Sequence, residues 1–251
     1  MDSMFSKIVV TGEGPTDMGI CKRQLPVCTY DDYEIGPVML LLNKLLEQHL
    51  PPWNTEQLDF THPEKYVIFI YRDWFNNQMK TNRLIRPSKK VFKGFVEHAQ
   101  RAAQLARYAK NNECQIAAYF HDTDGTRSQS NNREFLINAI KEGFRAMDFS
   151  DYGVPVVPKP KSEAWFLCAF KANPYQHCNS LENELSGNDC SPEKSPKVLL
   201  AQALGTDCCS RDLLCENACC IEINKLDMPS FNEVRENMKR AIAAIYGQIR
   251  D

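Results

Sequence analysis

Gln115-Ile-Ala-Ala-Tyr-Phe-His-Asp-Thr-Asp-Gly125 carries the reading of the fold. Its first half is an apolar run of strand length, and its second half is a polar turn ending in glycine. A strand that is apolar at successive positions is buried on both faces, as in a parallel sheet covered by helices. Three other runs have the same form: Ser6 to Val10, Tyr66 to Tyr71 and Gly153 to Val157. Stretches with helical spacing lie between and after them. Val38 to His49 is apolar at that spacing and is stopped by Pro51-Pro52. Lys89 to Asn111 reads as a long, basic, amphipathic helix. Asn131 to Met147 is a helix with Phe135, Ile137, Ile140 and Phe144 spaced for one face. Ser162 caps a helix that begins Glu-Ala-Trp-Phe-Leu. Helices near Pro196 to Leu204 and Phe231 to Ile249 close the chain, while residues 20 to 35 and 173 to 195 show no clear period and read as loops. Strands alternating with helices predict an α/β fold with a mainly parallel central sheet flanked by helices, inserted loops and a helical C-terminal tail.

In such a sheet the working residues lie beyond the carboxyl ends of the strands. Three of the predicted strands end in acidic groups there. Glu13 follows the first, on the glycine-flanked turn Gly12-Glu-Gly-Pro-Thr-Asp17; Asp122 and Asp124 follow the strand quoted above; Glu163 follows the fourth. Two residues apart on extended chain, Asp122 and Asp124 point the same way. Carboxylates converging at one edge repel one another, and a hard divalent cation such as Mg2+, which prefers oxygen ligands, relieves that repulsion. Lys159, Lys161 and Arg127 lie close by in sequence and are candidates for phosphate oxygens. Taken singly, each segment is an ordinary turn, loop or capped helix start. Their joint placement, each after a strand, is what points to a metal site.

Composition narrows the classes further. The chain has 251 residues, is 43% hydrophobic and 25% charged, and can bury a sizeable core. No apolar run is long enough to span a bilayer, and the opening residues lack the features of a signal peptide, so the expected location is the cytosol. Net charge is −2, but ten basic residues against two acidic ones between Arg72 and Lys110 make that segment +8 and leave −10 elsewhere. Such asymmetry suggests a face for polyanions. Its candidate nucleic-acid contacts are Arg72, Lys80, Arg83, Arg86, Lys89, Lys90 and Lys93, joined by Arg127 and Lys159. Trp74, Phe75, Phe92 and Phe95 lie among them as candidate stacking groups, with Phe92 and Phe95 read as core. An acidic protein partner for the same cations stays open. Eleven cysteines, an odd number without a secretory signal, argue against a disulfide framework. Five of them crowd between Cys208 and Cys220 in spacings that do not suit zinc, and read as ordinary thiols. His49, His62, His98 and His177 read as surface or packing residues; His121 adjoins the acidic pair but is read as structural.

The segments Val9-Val-Thr-Gly-Glu-Gly-Pro-Thr-Asp17, Asp122-Thr-Asp124 and Val156-Val-Pro-Lys-Pro-Lys-Ser-Glu-Ala-Trp165 together resemble the TOPRIM (topoisomerase–primase) fold, a Rossmann-like domain. More narrowly they are similar to nucleases of the overcoming-lysogenization-defect type and to small standalone TOPRIM proteins of antiphage defence loci. The resemblance covers roughly residues 6 to 170. It differs in the Gly125-Thr-Arg127 that follows the acidic pair, in the long gap between the first two motifs, and in Asp17, where many relatives have Glu. It implies a catalytic domain over 1–172, with an insertion at about 20–35 and the basic segment 72–110, and a loop and helical extension over 173–251. It implies a Mg2+- or Mn2+-dependent nuclease with Asp122 and Asp124 as metal ligands, Glu13 as ligand or general base, Glu163 completing a second metal site and Lys161 neutralising charge on the phosphate. The chain has no Gly-x-x-x-x-Gly-Lys-Ser/Thr loop, so the resemblance also implies a separate ABC- or SMC-like ATPase partner.

Two other readings compete. Phe120-His-Asp-Thr-Asp-Gly-Thr126 also resembles the first motif of haloacid-dehalogenase-like phosphatases, with Asp122 as nucleophile, although that motif normally opens its domain and is here preceded by a strand and helices. Alternatively the chain is a non-catalytic TOPRIM subunit that binds a partner ATPase through its insertion and cysteine-rich tail. The tail helix is also a candidate pairing surface for a homo-oligomer.

Overall fold

The computed structural model describes residues 5–14, 16–81, 84, 91, 93–123, 132–187 and 191–247. Seven strands occur among them: β1 (Ile8–Thr11), β2 (Gly19–Cys21), β3 (Val27–Cys28), β4 (Tyr33–Ile35), β5 (Val67–Ile70), β6 (Ile116–Phe120) and β7 (Gly153–Val156). Five of these form the central sheet in the order β3-β5-β1-β6-β7. The four strands read from their apolar runs are mutually parallel, with Ile8 opposite both Val67 and Ile116, and Ala117 opposite Gly153. The chain is therefore α/β with a mainly parallel sheet.

Helices cover both faces: α1 (Pro37–His49), α4 (Val96–Asn111), α5 (Asn132–Arg145), α6 (Glu163–Phe170) and α10 (Pro229–Ile245), with shorter α2 (Pro52–Thr55), α3 (Arg72–Thr81), α7 (Cys178–Glu184), α8 (Pro196–Leu204) and α9 (Arg211–Cys220) around them. Alternate strand residues feed the two layers, as the pleat requires. Ile8, Val10, Ala118 and Phe120 join Leu42, Trp165 and Phe231 from α1, α6 and α10 in one core. Val9, Ala117 and Tyr119 join Leu105, Ile140 and Phe144 from α4 and α5 in the other. The α4–α5 pair packs so closely that a Cβ on Gly143 would meet the Ala99 carbonyl at 2.3 Å.

Several sequence expectations need correction. Residues 20–35 are not a loop. They hold β2 and β4, paired antiparallel, and β3, which pairs antiparallel with β5 at the sheet edge. Strands of two or three residues are too short to show a period. Four cysteines form two disulfides, Cys21–Cys28 and Cys168–Cys178, against the expectation of thiols throughout. The compartment argument concerned the surroundings, whereas the fold sets these pairs 5.9 and 5.3 Å apart at Cα, within bridging reach. The helix expected from Lys89 begins at Val96, after a 3-10 turn over Lys93–Phe95. The stretch 173–195 contains α7 and a 3-10 turn over Pro192–Lys194, and α9, which the sequence reading did not assign, buries only Leu214 and Ala218.

One glycine joins this framework to the sheet edge. Gly36 precedes α1, and a Cβ there would lie 2.3 Å from the Asp17 carbonyl oxygen and 2.4 Å from that of Thr16. Both obstacles are backbone, which cannot swing aside as a flexible side chain can. Gly36→Ala is expected to cost about 2–3 kcal/mol, in the range for overpacking, and to lower the Tm by roughly 4–12 °C. Thermal unfolding followed by circular dichroism checks this, and an unchanged Tm would contradict the described approach of 16–17 to α1.

Candidate functional site

The parallel strands run β5-β1-β6-β7 in space, so the chain first adds a strand on one side of β1 and then two on the other. The direction of strand addition reverses between β1 and β6. Loops leaving the two strands at such a switch diverge and open a crevice at their carboxyl ends. Glu13 follows β1 and the His121-Asp122-Thr123 turn follows β6, so both stand at that crevice.

Short-range contacts tie the segments together. The Asp122 backbone N–H donates to Glu13 Oε2 at 3.3 Å. Asp122 Oδ1 accepts the backbone N–H of Ser162 at 3.2 Å. The Ser162 hydroxyl donates to Asp17 Oδ1 at 2.6 Å, rather than capping α6 as the sequence suggested. The Thr123 hydroxyl lies 3.1 Å from the Pro158 carbonyl oxygen and 3.0 Å from that of Pro160, fixing the β6 turn to the segment after β7. Residues 109 positions apart, Glu13 and Asp122, thus touch, and Asp17 and Glu163 flank them. Glu163 is half-buried, at the first position of α6. Its burial pushes its carboxyl pKa up, the charge of Asp17 adds to the effect, and Lys161 and Lys197 offset part of it.

Asp124 and Arg127 lie outside the described residues, as do Arg83, Arg86, Lys89, Lys90 and Phe92. Lys161 is buried beside Ser162. Lys159 donates to Asn183 Oδ1 at 3.0 Å. Arg72 is exposed at the start of α3, directly beyond β5 and so at the same sheet edge; Lys80 and Lys93 are also exposed. Other cations of the basic segment have structural partners: Arg101 is buried against Glu97, Arg107 donates to Gln78, and Lys110 donates to the Met147 carbonyl. Of the candidate stacking groups, Phe75 is buried, and Trp74 packs edge-on against Phe75 and Tyr108. Phe95 is half-buried against Phe135.

Two histidines that the sequence reading treated as packing residues stand at the site. His121 Nδ1 is 3.2 Å from Glu13 Oε2, and the His98 ring meets the His121 ring edge-to-face at 4.5 Å. His121 had one usable signal, its place next to Asp122; His98 had none, being brought in by α4 from 23 residues earlier.

The donor chemistry suits a hard divalent cation. Glu13, Asp17, Asp122 and Glu163 offer only oxygen, and the charge of Asp17 adds to the burial that raises the Glu163 pKa. Among the described residues no group of three or more His, Cys, Asp or Glu is placed to hold a metal ion. Mg2+ commonly takes one or two carboxylates and keeps several waters. A separate cleft of about 610 Å³ lies between the 20–35 segment and α9, spanned by a 2.8 Å ion pair of Arg211 with Glu34, and includes none of these carboxylates. No helix among the described residues is long and apolar enough to cross a membrane. The chain matches no protein-family model, no curated protein and no solved structure.

Proposed function

We propose that the chain is a divalent-cation-dependent phosphodiester hydrolase acting on DNA or RNA. The observation that carries the reading is the contact of Glu13 with the Asp122 turn across the switch between β1 and β6. Glu13, Asp122 and, as the resembled motif implies, Asp124 would hold Mg2+ or Mn2+, and Glu163 would serve a second ion. When bound, such an ion polarises the scissile phosphate and lowers the pKa of a coordinated water. The protein's own residues do the rest. Ser162 N–H keeps the Asp122 carboxylate aimed, buried Lys161 neutralises charge on the phosphate oxygens, and Arg72, Lys80 and Lys93 hold the nucleic-acid backbone without regard to sequence. The resemblance to TOPRIM nucleases extends this to an effector of antiphage defence working beside an ABC- or SMC-like ATPase in the cytoplasm.

The test is a cleavage assay on plasmid, single-stranded DNA and total tRNA with Mg2+ or Mn2+, with and without the product of the neighbouring gene. Cleavage is expected to require the ion and to weaken steeply as salt is raised. Absence of cleavage under all these conditions would favour a non-catalytic partner of an ATPase. Release of phosphate from small monoesters by a Glu13→Ala variant would favour the phosphatase.

A further inference from the structure

His121 donates from Nδ1 to the Asp122 carbonyl oxygen at 2.6 Å and stands 3.2 Å from Glu13 Oε2. Both neighbours are acceptors, so Nδ1 is the nitrogen that carries hydrogen. The same Glu13 oxygen also accepts the Asp122 N–H. One carboxylate oxygen is therefore held in a notch made by the ring and backbone of two consecutive residues.

The ring that forms this notch is itself held. His98 packs edge-to-face against it, with the planes at 81°. His98 Nδ1 is 3.1 Å from the Tyr119 hydroxyl, and Tyr119 is buried in β6. Burial pushes the His98 pKa down to about 3, with His121, Arg101 and Arg72 adding to the effect, so the ring that packs on His121 is neutral.

We infer that His121 is a positioning residue for Glu13, and that a relay of contacts from Tyr119 through His98 fixes its ring. The relay runs from buried Tyr119 through half-buried His98 and His121 to the exposed candidate metal ligand Glu13. It explains how a glutamate on an exposed glycine turn presents a defined carboxylate. A side chain that is 43% exposed would otherwise lose rotamer entropy each time it bound an ion. The part played in ion binding rests on the function proposed above, whereas the hydrogen-bond directions do not.

Two measurements test this. Long-range 15N–1H spectra of the ring nitrogens in the cation-free protein are expected to show His121 protonated at Nδ1, with the His98 Nδ1 signal shifted in Tyr119→Phe. Mn2+ titration followed by calorimetry is expected to show affinity reduced about ten-fold in His121→Leu, the lower end for outer-shell partners of a metal ligand. His121→Asn, which restores a donor near the Nδ1 position, is expected to recover most of it. The inference is overturned if His121 is protonated only at Nε2, or if His121→Leu binds Mn2+ like the wild type while Glu13→Gln does not. If Glu13→Gln also binds like the wild type, the metal-site reading fails first and the relay's role goes with it.

Discussion

Asp122→Asn is expected to abolish ion-dependent cleavage, lowering the rate by at least about a hundred-fold, without unfolding the protein. Loss of an outer-shell partner of a bound ion already costs roughly 10–100-fold, and a direct ligand should cost no less. The substitution is chosen because it changes charge and little else. Asp122 uses Oδ1 to accept the Ser162 N–H, and the amide oxygen of asparagine accepts the same bond. The backbone N–H that reaches Glu13 is untouched. The turn should therefore keep its shape, and removal of one negative charge from an edge shared with Glu13, Asp17 and Glu163 should, if anything, favour folding without a cation. Cleavage on plasmid and tRNA, paired with thermal unfolding, reads both quantities. A variant that keeps its Tm and loses cleavage supports the site; one that keeps cleavage removes Asp122 from it.

The same residue would be essential to a phosphatase, so Asp122 alone does not separate the two chemistries. Glu13 does. In the phosphodiesterase reading Glu13 is a ligand or base on an adjacent strand. In the phosphatase reading the motif around Asp122 is complete without it. The strand order adds a physical point. A motif that opens its domain would be expected on the first parallel strand, yet Asp122 follows β6, the third in chain order, with β1 and β5 already laid down beside it.

The four parallel strands were legible because each is an unbroken apolar run, and two-sided burial leaves no alternation to confuse. The acidic ends were legible for the same reason, since a strand that stops at a charged or glycine turn marks its own carboxyl end. What could not be read was anything built from short or distant pieces. β3 contributes two residues to the sheet, fewer than one period of any pattern. Ser162 looked like a helix cap because Ser before Glu-Ala-Trp usually is one; its hydroxyl goes instead to Asp17, 145 positions earlier. Asp17 drew notice only as a departure from the resembled motif, yet Gly36 and Ser162 fix it at the site. The His98–Tyr119 contact joins a helix to a strand 21 residues on, and no local periodicity encodes it. Charge density was legible, but the partners of Arg101, Arg107 and Lys110 were not, so fewer cations stand ready for the proposed polyanion contact than the tally implied.

Trp165→Ala is expected to be the most destabilising of the substitutions considered, costing about 3–5 kcal/mol and lowering the Tm by roughly 6–20 °C for a chain of this size. Trp165 is fully buried on α6, two residues after Glu163. Its ring meets Phe231 edge-to-face at 5.2 Å, and its Nε1 donates to Ser230 Oγ at 2.8 Å. The Ser230 N–H in turn donates to Glu182 Oε1 at 2.7 Å. One side chain thus joins α6 to α10 and, through Ser230, to α7. Alanine would leave a cavity there and take the indole donor away from the buried Ser230 hydroxyl. Trp165→Phe keeps an aromatic ring but loses the N–H and part of the indole, so about 1–2 kcal/mol is expected from the unmade hydrogen bond, with a smaller packing loss than in alanine. Urea unfolding of the two variants orders these costs, and equal midpoints for both would show that the hydrogen bond, not the packing, anchors α6. The pair also completes the comparison with Asp122→Asn. Below its melting temperature Trp165→Phe is expected to cleave like the wild type, whereas Asp122→Asn is expected to melt like the wild type and not cleave. Only a chemical site carried on an independently packed scaffold yields both results; a purely structural role for the acidic edge would make loss of stability and loss of activity appear together.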